Sequence, residues 1–249
     1  MLEILRDNWL LFLIGQYPYG PIGGLVMTLF MAIASLALCF PFAVGLALAR
    51  LSPYRWLRLP ATALVYVVRG LPLIMFIFWA YFLSPLVVGR PIGGVETLII
   101  TLVVYEAAYL SEVIRAGIEG LPKGQVQAAT ALGLGYWPTT LSIVLPQALH
   151  NMLPSMVSQF VSTIKETSLG YVISAHEVTF AAAQVNNLLL TQPFEVYGLL
   201  ALTYFTLCFT LTSCARILEW RLTRARRQAG ATRINVANIG VAVRRSEFS

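Results

Sequence analysis

The sequence predicts an all-α membrane protein with about five transmembrane helices, and three features carry that prediction. Hydrophobic residues make up 58% of the 249 and charged residues 11%, at a mean hydropathy of +0.75, more apolar surface than one soluble core buries. Apolar stretches recur at the roughly 20-residue length that a bilayer requires. The 17 Lys and Arg outnumber the 11 Asp and Glu and gather in two connecting loops and the tail, the asymmetry of a chain held in one orientation across a membrane.

Residues 1–22 contain Glu3, Asp7 and a short apolar run from Trp9 to Ile14. With no small-residue cleavage pattern, they read as an amphipathic N-terminal segment rather than a cleaved signal peptide. Five spans follow, at about 23–49, 61–86, 95–113, 141–164 and 195–219. All carry Gly, Pro or Thr, which membrane helices tolerate better than soluble ones. No linker divides them, so residues 23–222 form one membrane domain. The stretch 223–249, with Arg224, Arg226 and Arg227, lacks a helix-period apolar face and is expected to be a basic, flexible tail. Arg50, Arg55 and Arg58 mark one inner loop, Arg115 and Lys123 a second, and the tail from Arg216 a third cationic region. The N-terminus is then outside and the C-terminus cytoplasmic.

Several classes are disfavoured. The net charge of +6 belongs to inner loops and tail without an aromatic-interleaved basic motif, which argues against nucleic-acid binding. Cys39, Cys208 and Cys214 all fall within expected spans and read as small buried hydrophobes, not a disulfide framework. His150 and His176 are the two histidines, and no Cys lies near His176, which disfavours a zinc site. A His-Glu-x-x-His pair, a Gly-x-Ser-x-Gly elbow and a phosphate-cradling Gly-x-x-x-x-Gly-Lys-Ser/Thr loop are all missing from the sequence. An intramembrane enzyme is therefore disfavoured, no cofactor is expected on this chain, and any ATP chemistry belongs to another polypeptide.

The loop between the third and fourth spans, about 115–140, is the most informative. Pro122 can open a short helix there, Gly133 or Gly135 can close it with a left-handed cap, and Ala128, Ala129 and Ala131 favour helix while presenting a flat surface to a partner. A helix of about three turns is expected. The spacing Gln127-Ala128-Ala129, then Gly133, then Ile143 and Leu145-Pro146 resembles the loop by which permeases of ATP-binding-cassette (ABC) importers engage their ATPases.

The resemblance extends from about residue 20 to 222. It includes Gly24, Thr28 and Ser35, Arg69-Gly-Leu-Pro72, Ala108-Tyr-Leu-Ser-Glu112 with Arg115 and Gly117, Leu145-Pro-Gln-Ala148, and Lys165-Glu-Thr-Ser-Leu169. In these pieces the chain is similar to the polar amino-acid permeases, the group of histidine, glutamine and glutamate/aspartate importers. Two departures stand out: Gln127 replaces the usual Glu, and His150 stands where Arg is common. Losing one carboxylate weakens a charge contact without removing a packing interface.

The resemblance implies a type I ABC importer (MetI-like) fold in a bacterial inner membrane. It also implies ABC ATPase subunits that hold ATP and Mg, a second permease subunit, and a periplasmic or extracellular amino-acid-binding protein. Gln127, Ala128, Ala129, Gly133, Leu145 and Pro146 would then couple the chain to the ATPase. The cargo is expected to be a polar L-amino acid, with glutamate, aspartate or an amide ahead of a basic one. A free-standing channel would use the same spans but leaves the loop spacing without a purpose.

Ionisable residues within spans are costly unless paired or facing a wet cavity. On that ground Arg69, Glu106, Tyr109, Glu166, Thr167 and Ser168 are candidates for the substrate path. Arg69 lies about 12 Å along the second span, beside Gly70 and Pro72, which favour a local break. Tyr105, Glu106 and Tyr109 form a polar stripe suited equally to a packed core or a wet path. Lys165-Glu166-Thr167-Ser168-Leu169-Gly170 ends the fourth span in charges and hydroxyls, either as a broken helix offering groups to a zwitterion or as a capped helix with a balanced ion pair. Glu112 and Arg115 read as a structural ion pair. Residues 171–194, with His176, Glu177, Gln184, Asn186 and Asn187, are too polar for a span and suit an outer gate or landing surface.

Overall fold

The computed structural model describes residues 2–217; the expected tail at 223–249 lies outside them. Helices dominate: α1 (Leu2–Ile14), α2 (Gly24–Leu51), α3 (Arg55–Gly70), α4 (Leu73–Val88), α5 (Gly94–Glu119), α6 (Gly124–Ala131), α7 (Tyr136–Thr139), α8 (Leu145–Asn151), α9 (Leu153–Glu166) and α10 (Val178–Leu189). A final helix, α11, covers Pro193–Ile217. A π turn at Thr140–Val144 joins α7 to α8, and a 3-10 segment, Thr167–Ile173, continues α9.

The bundle is built around α2 and α5, which pack on one another more extensively than any other pair. On α2 the buried positions Thr28, Ala32, Ser35, Cys39, Ala43 and Ala47 recur every three or four residues, and Ala107 and Ala108 lie buried on α5. Small side chains let the two backbones approach closely, the device by which membrane helices associate without a hydrophobic driving force. Gly117 serves the same end: a Cβ there would collide with Met152 between α8 and α9. The outer faces remain apolar, with Phe30, Phe42, Trp79, Phe82, Phe205 and Phe209 all exposed, the surface a lipid environment accepts.

Among the described residues, three helices are long and apolar enough to cross a bilayer: Gly24–Leu51, Gly94–Glu119 and Pro193–Ile217. The other two expected spans are interrupted. The second begins at Arg55 and bends by 105° between α3 and α4. Its break falls at Leu71 and Pro72, as the Gly70/Pro72 pair predicts, because Pro disfavours α geometry in the residue before it. The fourth, expected unbroken at 141–164, is divided into the π turn, α8 and α9. Pro146 and Pro154 each sit in the first turn of their helix, where a missing N–H costs nothing, whereas inside one long helix each would remove a bond and clash.

The loop helix is also shorter than expected. It has eight residues, Gly124–Ala131, about two turns, because Pro122 and Lys123 form a turn ahead of it in which the Gln125 N–H donates to the Pro122 carbonyl. Its end is set by Gly133 at φ +79°. The Leu134 N–H donates to the Ala129 carbonyl and the Gly133 N–H to the Thr130 carbonyl, the Schellman pair that satisfies the last carbonyls of a helix. Tyr136 donates from its hydroxyl to the Leu51 carbonyl at 2.9 Å, fastening the loop to the end of α2.

Candidate functional site

Two polar clusters interrupt the apolar bundle, both centred on α5. The first surrounds Glu106, which is fully buried. Gln159 of α9 donates to Glu106 Oε2 at 2.6 Å, and the Glu166 carboxyl at the end of α9 is a near neighbour of the Glu106 side chain. Glu106 Oε1 and Glu166 Oε2 are both buried and have no donor among the described residues. One turn along α5, the Tyr105 hydroxyl donates to the Tyr109 hydroxyl at 3.1 Å, with ring centroids 4.8 Å apart. Tyr109 then meets the break between α3 and α4: its hydroxyl approaches the Arg69 carbonyl at 3.5 Å, and the Arg69 guanidinium lies 5.1 Å above its ring. The stripe Tyr105–Glu106–Tyr109 thus meets the Arg69 guanidinium at Tyr109 and the Glu166 carboxyl at Glu106.

The second cluster surrounds Glu112, one turn further. Arg50 and Arg115 both donate to its carboxylate at 2.5 Å, and Arg115 also reaches Glu119 at 2.6 Å. The expected Glu112–Arg115 pair is therefore present and larger than a pair, since Arg69 approaches the same carboxylate at 3.7 Å.

Of the predicted path residues, Arg69, Glu106, Tyr109 and Glu166 come together. Thr167 and Ser168 spend their hydroxyl protons on the end of α9, donating to the carbonyls of Ile164 and Lys165 at 2.7 and 2.6 Å. Both hydroxyls are thus bonded locally, and the helix breaks there, passing into the 3-10 segment. A balanced Lys165–Glu166 ion pair does not occur among the described residues; Lys165 is exposed. Gln159 was not singled out from the sequence. Its signal was a neutral amide on an otherwise weakly polar helix, which becomes informative only once Glu106 is opposite it.

Glu177, expected in an outer gate or landing surface, is completely buried instead. It caps α10, accepting from the Thr179 and Phe180 backbone N–H groups at 2.7 and 2.9 Å and from the Tyr204 hydroxyl at 3.1 Å. Burial pushes its carboxyl up to about 7, against the pull of those donors.

At the opposite end of the molecule, Gln127 and Ala128 are exposed on α6, Ala129 is buried, and Leu145 and Pro146 open α8. An apolar groove of about 750 Å³ runs beside α6, lined by Leu51, Ile118, Val126, Gln127 and Tyr136. No group of three His, Cys, Asp or Glu suited to a metal occurs among the described residues.

The chain is similar to known proteins. Residues 40–224 match the model of the binding-protein-dependent transport system inner membrane component family. The probable glutamine ABC transporter permease of Bacillus subtilis (strain 168) is 37% identical over 202 residues, covering 80% of this chain and 92% of its own length. The glutamate transport system permease of Corynebacterium glutamicum is 35% identical, covering 86% of this chain and 77% of its own. Among solved structures, a chain of an amino acid ABC transporter crystallised with histidines superposes with a TM-score of 0.73 at 28% identity, over 80% of this chain and 92% of that one. With the match to the family model spanning well over half its length, the chain belongs to the inner-membrane permease components of binding-protein-dependent transport systems.

Proposed function

We propose that the chain carries a polar L-amino acid inward across a bacterial inner membrane, as the permease subunit of an ABC importer. The observation that carries this reading is the placement of Arg69, Tyr105, Glu106, Tyr109, Gln159 and Glu166 at two helix interruptions inside an apolar bundle. A zwitterion needs an anion acceptor and a cation acceptor a short distance apart. Arg69 supplies the first, for the α-carboxylate. Glu106 and Glu166, with oxygens lacking donors, supply the second, for the ammonium group.

The same two carboxyls select the side chain. A second carboxylate on the cargo would meet like charge, so glutamate and aspartate rank behind glutamine and asparagine, whose amide N–H groups are donors. The relatives named for glutamine and glutamate transport support an amide or acidic cargo. A second reading, a cationic amino acid, is favoured by the Glu106–Glu166 pair itself.

ATP and Mg are held by two partner ATPases. Gln127, Ala128, Ala129 and Gly133 on the loop, with Leu145 and Pro146 on α8, form the surface that meets one of them. Closure of the ATPases moves α6 as a lever, a second permease subunit completes the path, and an external binding protein delivers the cargo.

Reconstitution with the ATPase and binding protein in liposomes tests the reading. ATP-dependent uptake of labelled L-glutamine, competed by L-asparagine more than by L-glutamate, is the expected result. Stronger competition by L-arginine selects the cationic reading. Accumulation against a gradient by this chain without an ATPase would overturn the assignment.

A further inference from the structure

Glu112 gathers guanidinium groups from three helices. Arg50 of α2 donates to Oε2 at 2.5 Å, and Arg115 of α5 donates to Oε1 at 2.5 Å and to Oε2 at 3.3 Å. A carboxylate has room for about four donors, so these bonds leave little for another. Arg69 of α3 comes third, at 3.7 Å from Oε2, beyond hydrogen-bonding range.

The three arginines also differ in surroundings. The Arg50 side chain is 6% exposed and the second arm of Arg115 is taken by Glu119. The Arg69 side chain is 35% exposed, lies above the Tyr109 ring and donates no hydrogen bond among the described residues. Three guanidiniums face two carboxylates, Glu112 and Glu119, which leaves one positive charge unbalanced. An arriving carboxylate balances it, and Arg69 is the arginine it can reach, because the unpartnered Nε of Arg50 is buried while Arg69 is partly exposed.

We propose that Glu112 is a positioning residue: it holds Arg69 by charge above the Tyr109 ring, from which Arg69 turns to bind the α-carboxylate of the transported amino acid. The inference rests on the amino-acid path proposed above and adds the residue that orients its carboxylate end. Neutralising Glu112 would leave Arg50 and Arg115 to repel Arg69 from α5, and the anion acceptor would be lost without any contact between Glu112 and the cargo.

The test measures equilibrium binding to the full chain in its purified complex with the ATPase. The probes are L-glutamine, L-arginine and their decarboxylated analogues 4-aminobutanamide and agmatine. The wild-type complex is expected to bind at least one of the amino acids about 10-fold or more tightly than its analogue, the worth of a charge-assisted hydrogen bond. Arg69→Met and Glu112→Gln both remove that preference, and Glu112→Asp, which keeps the charge, restores most of it. If Arg69→Met removes the preference while Glu112→Gln keeps it, the positioning role is overturned and the path stands. If the wild type shows no preference, or Arg69→Met retains it, the carboxylate end of the path falls too, and this proposal with it.

Should Glu112→Gln fail to assemble, Arg115→Gln decides. It returns donor sites on Glu112 to Arg69, so amino-acid affinity, and with it the preference over the analogue, falls by about 3-fold or more. Unchanged affinity in that variant overturns the proposal.

Discussion

At the scale of single residues, buried charge separates structural from functional groups. Glu106 and Glu177 are both fully buried, yet their partners differ. Glu177 receives two backbone N–H groups and a hydroxyl, a complete N-cap. Glu106 receives one amide and faces another carboxyl, an arrangement a donor from outside would complete. Glu106→Gln preserves volume and replaces a carboxyl oxygen with an amide donor; ATP-driven uptake should fall by about 10-fold or more with assembly intact, the cost of losing an acceptor for the cargo's ammonium group, and uptake at the wild-type rate would remove Glu106 from the path. Glu177 predicts a pH effect instead. Its carboxyl titrates near about 7 in the folded chain against 4.5 for the ordinary group. The folded state thus holds a proton that the unfolded chain releases earlier, and this contribution is full below about 4.5 and lost as pH rises through about 7. Thermal unfolding in detergent should occur at lower temperature at pH 8 than at pH 5, about three units apart across that window. Glu177→Gln should flatten this slope, and an equal slope in the variant would assign it elsewhere.

At the scale of elements, the loop helix shows how local chemistry sets a mechanical part. A Cβ on Gly133 would meet open space within this chain, so any penalty of substitution here arises from its φ of +79°. Gly133→Val should cost about 1–2 kcal/mol at the cap, fray the end of α6 and reduce ATP-driven uptake. Gly133→Asn should be milder, since Asn tolerates the left-handed region. Equal uptake by the Val variant and the wild type would remove this account of the glycine. Gly133 was legible because glycine after an alanine-rich run has one common use, and α2 and α5 were legible because their largely apolar runs are long enough to span a bilayer. The break at Leu71 and Pro72 was readable from Gly70 and Pro72, but its 105° angle was not, because a proline fixes where a helix stops and packing fixes where the next one goes. The division of 141–164 was missed for a related reason: Pro146 and Pro154 are compatible with a kinked membrane helix as well as with two new starts, and the sequence does not distinguish them. The Glu106–Gln159 contact joins residues 53 apart, a relation that no helical period contains.

At the scale of the whole molecule, charge is divided between the two ends of the bundle. Arg50, Arg55, Arg58, Arg115 and Lys123 lie at the end where Tyr136 is tied to Leu51. At the other end α1 packs on α10, with Glu3, Asp7 and Glu177 among the acidic groups there. The 28 residues of α2 separate these ends by about 42 Å, a bilayer with its headgroups. Because positive loops stay on the cytoplasmic side during insertion, the α6 end should be cytoplasmic and α1 external, the polarity an importer needs if its ATPase is to reach α6. Single cysteines test this directly. In a background with Cys39, Cys208 and Cys214 replaced, Tyr19→Cys occupies a fully exposed position in the turn between α1 and α2, and Lys123→Cys an exposed one ahead of α6. A membrane-impermeant maleimide added to spheroplasts should label Tyr19→Cys at once and Lys123→Cys only after the membrane is opened. The reverse pattern would place α6 outside, beyond reach of an ATPase in the cytoplasm. The coupling assigned to the loop would then fail even though the fold and the family stood, since neither depends on which face of the membrane the positive end occupies.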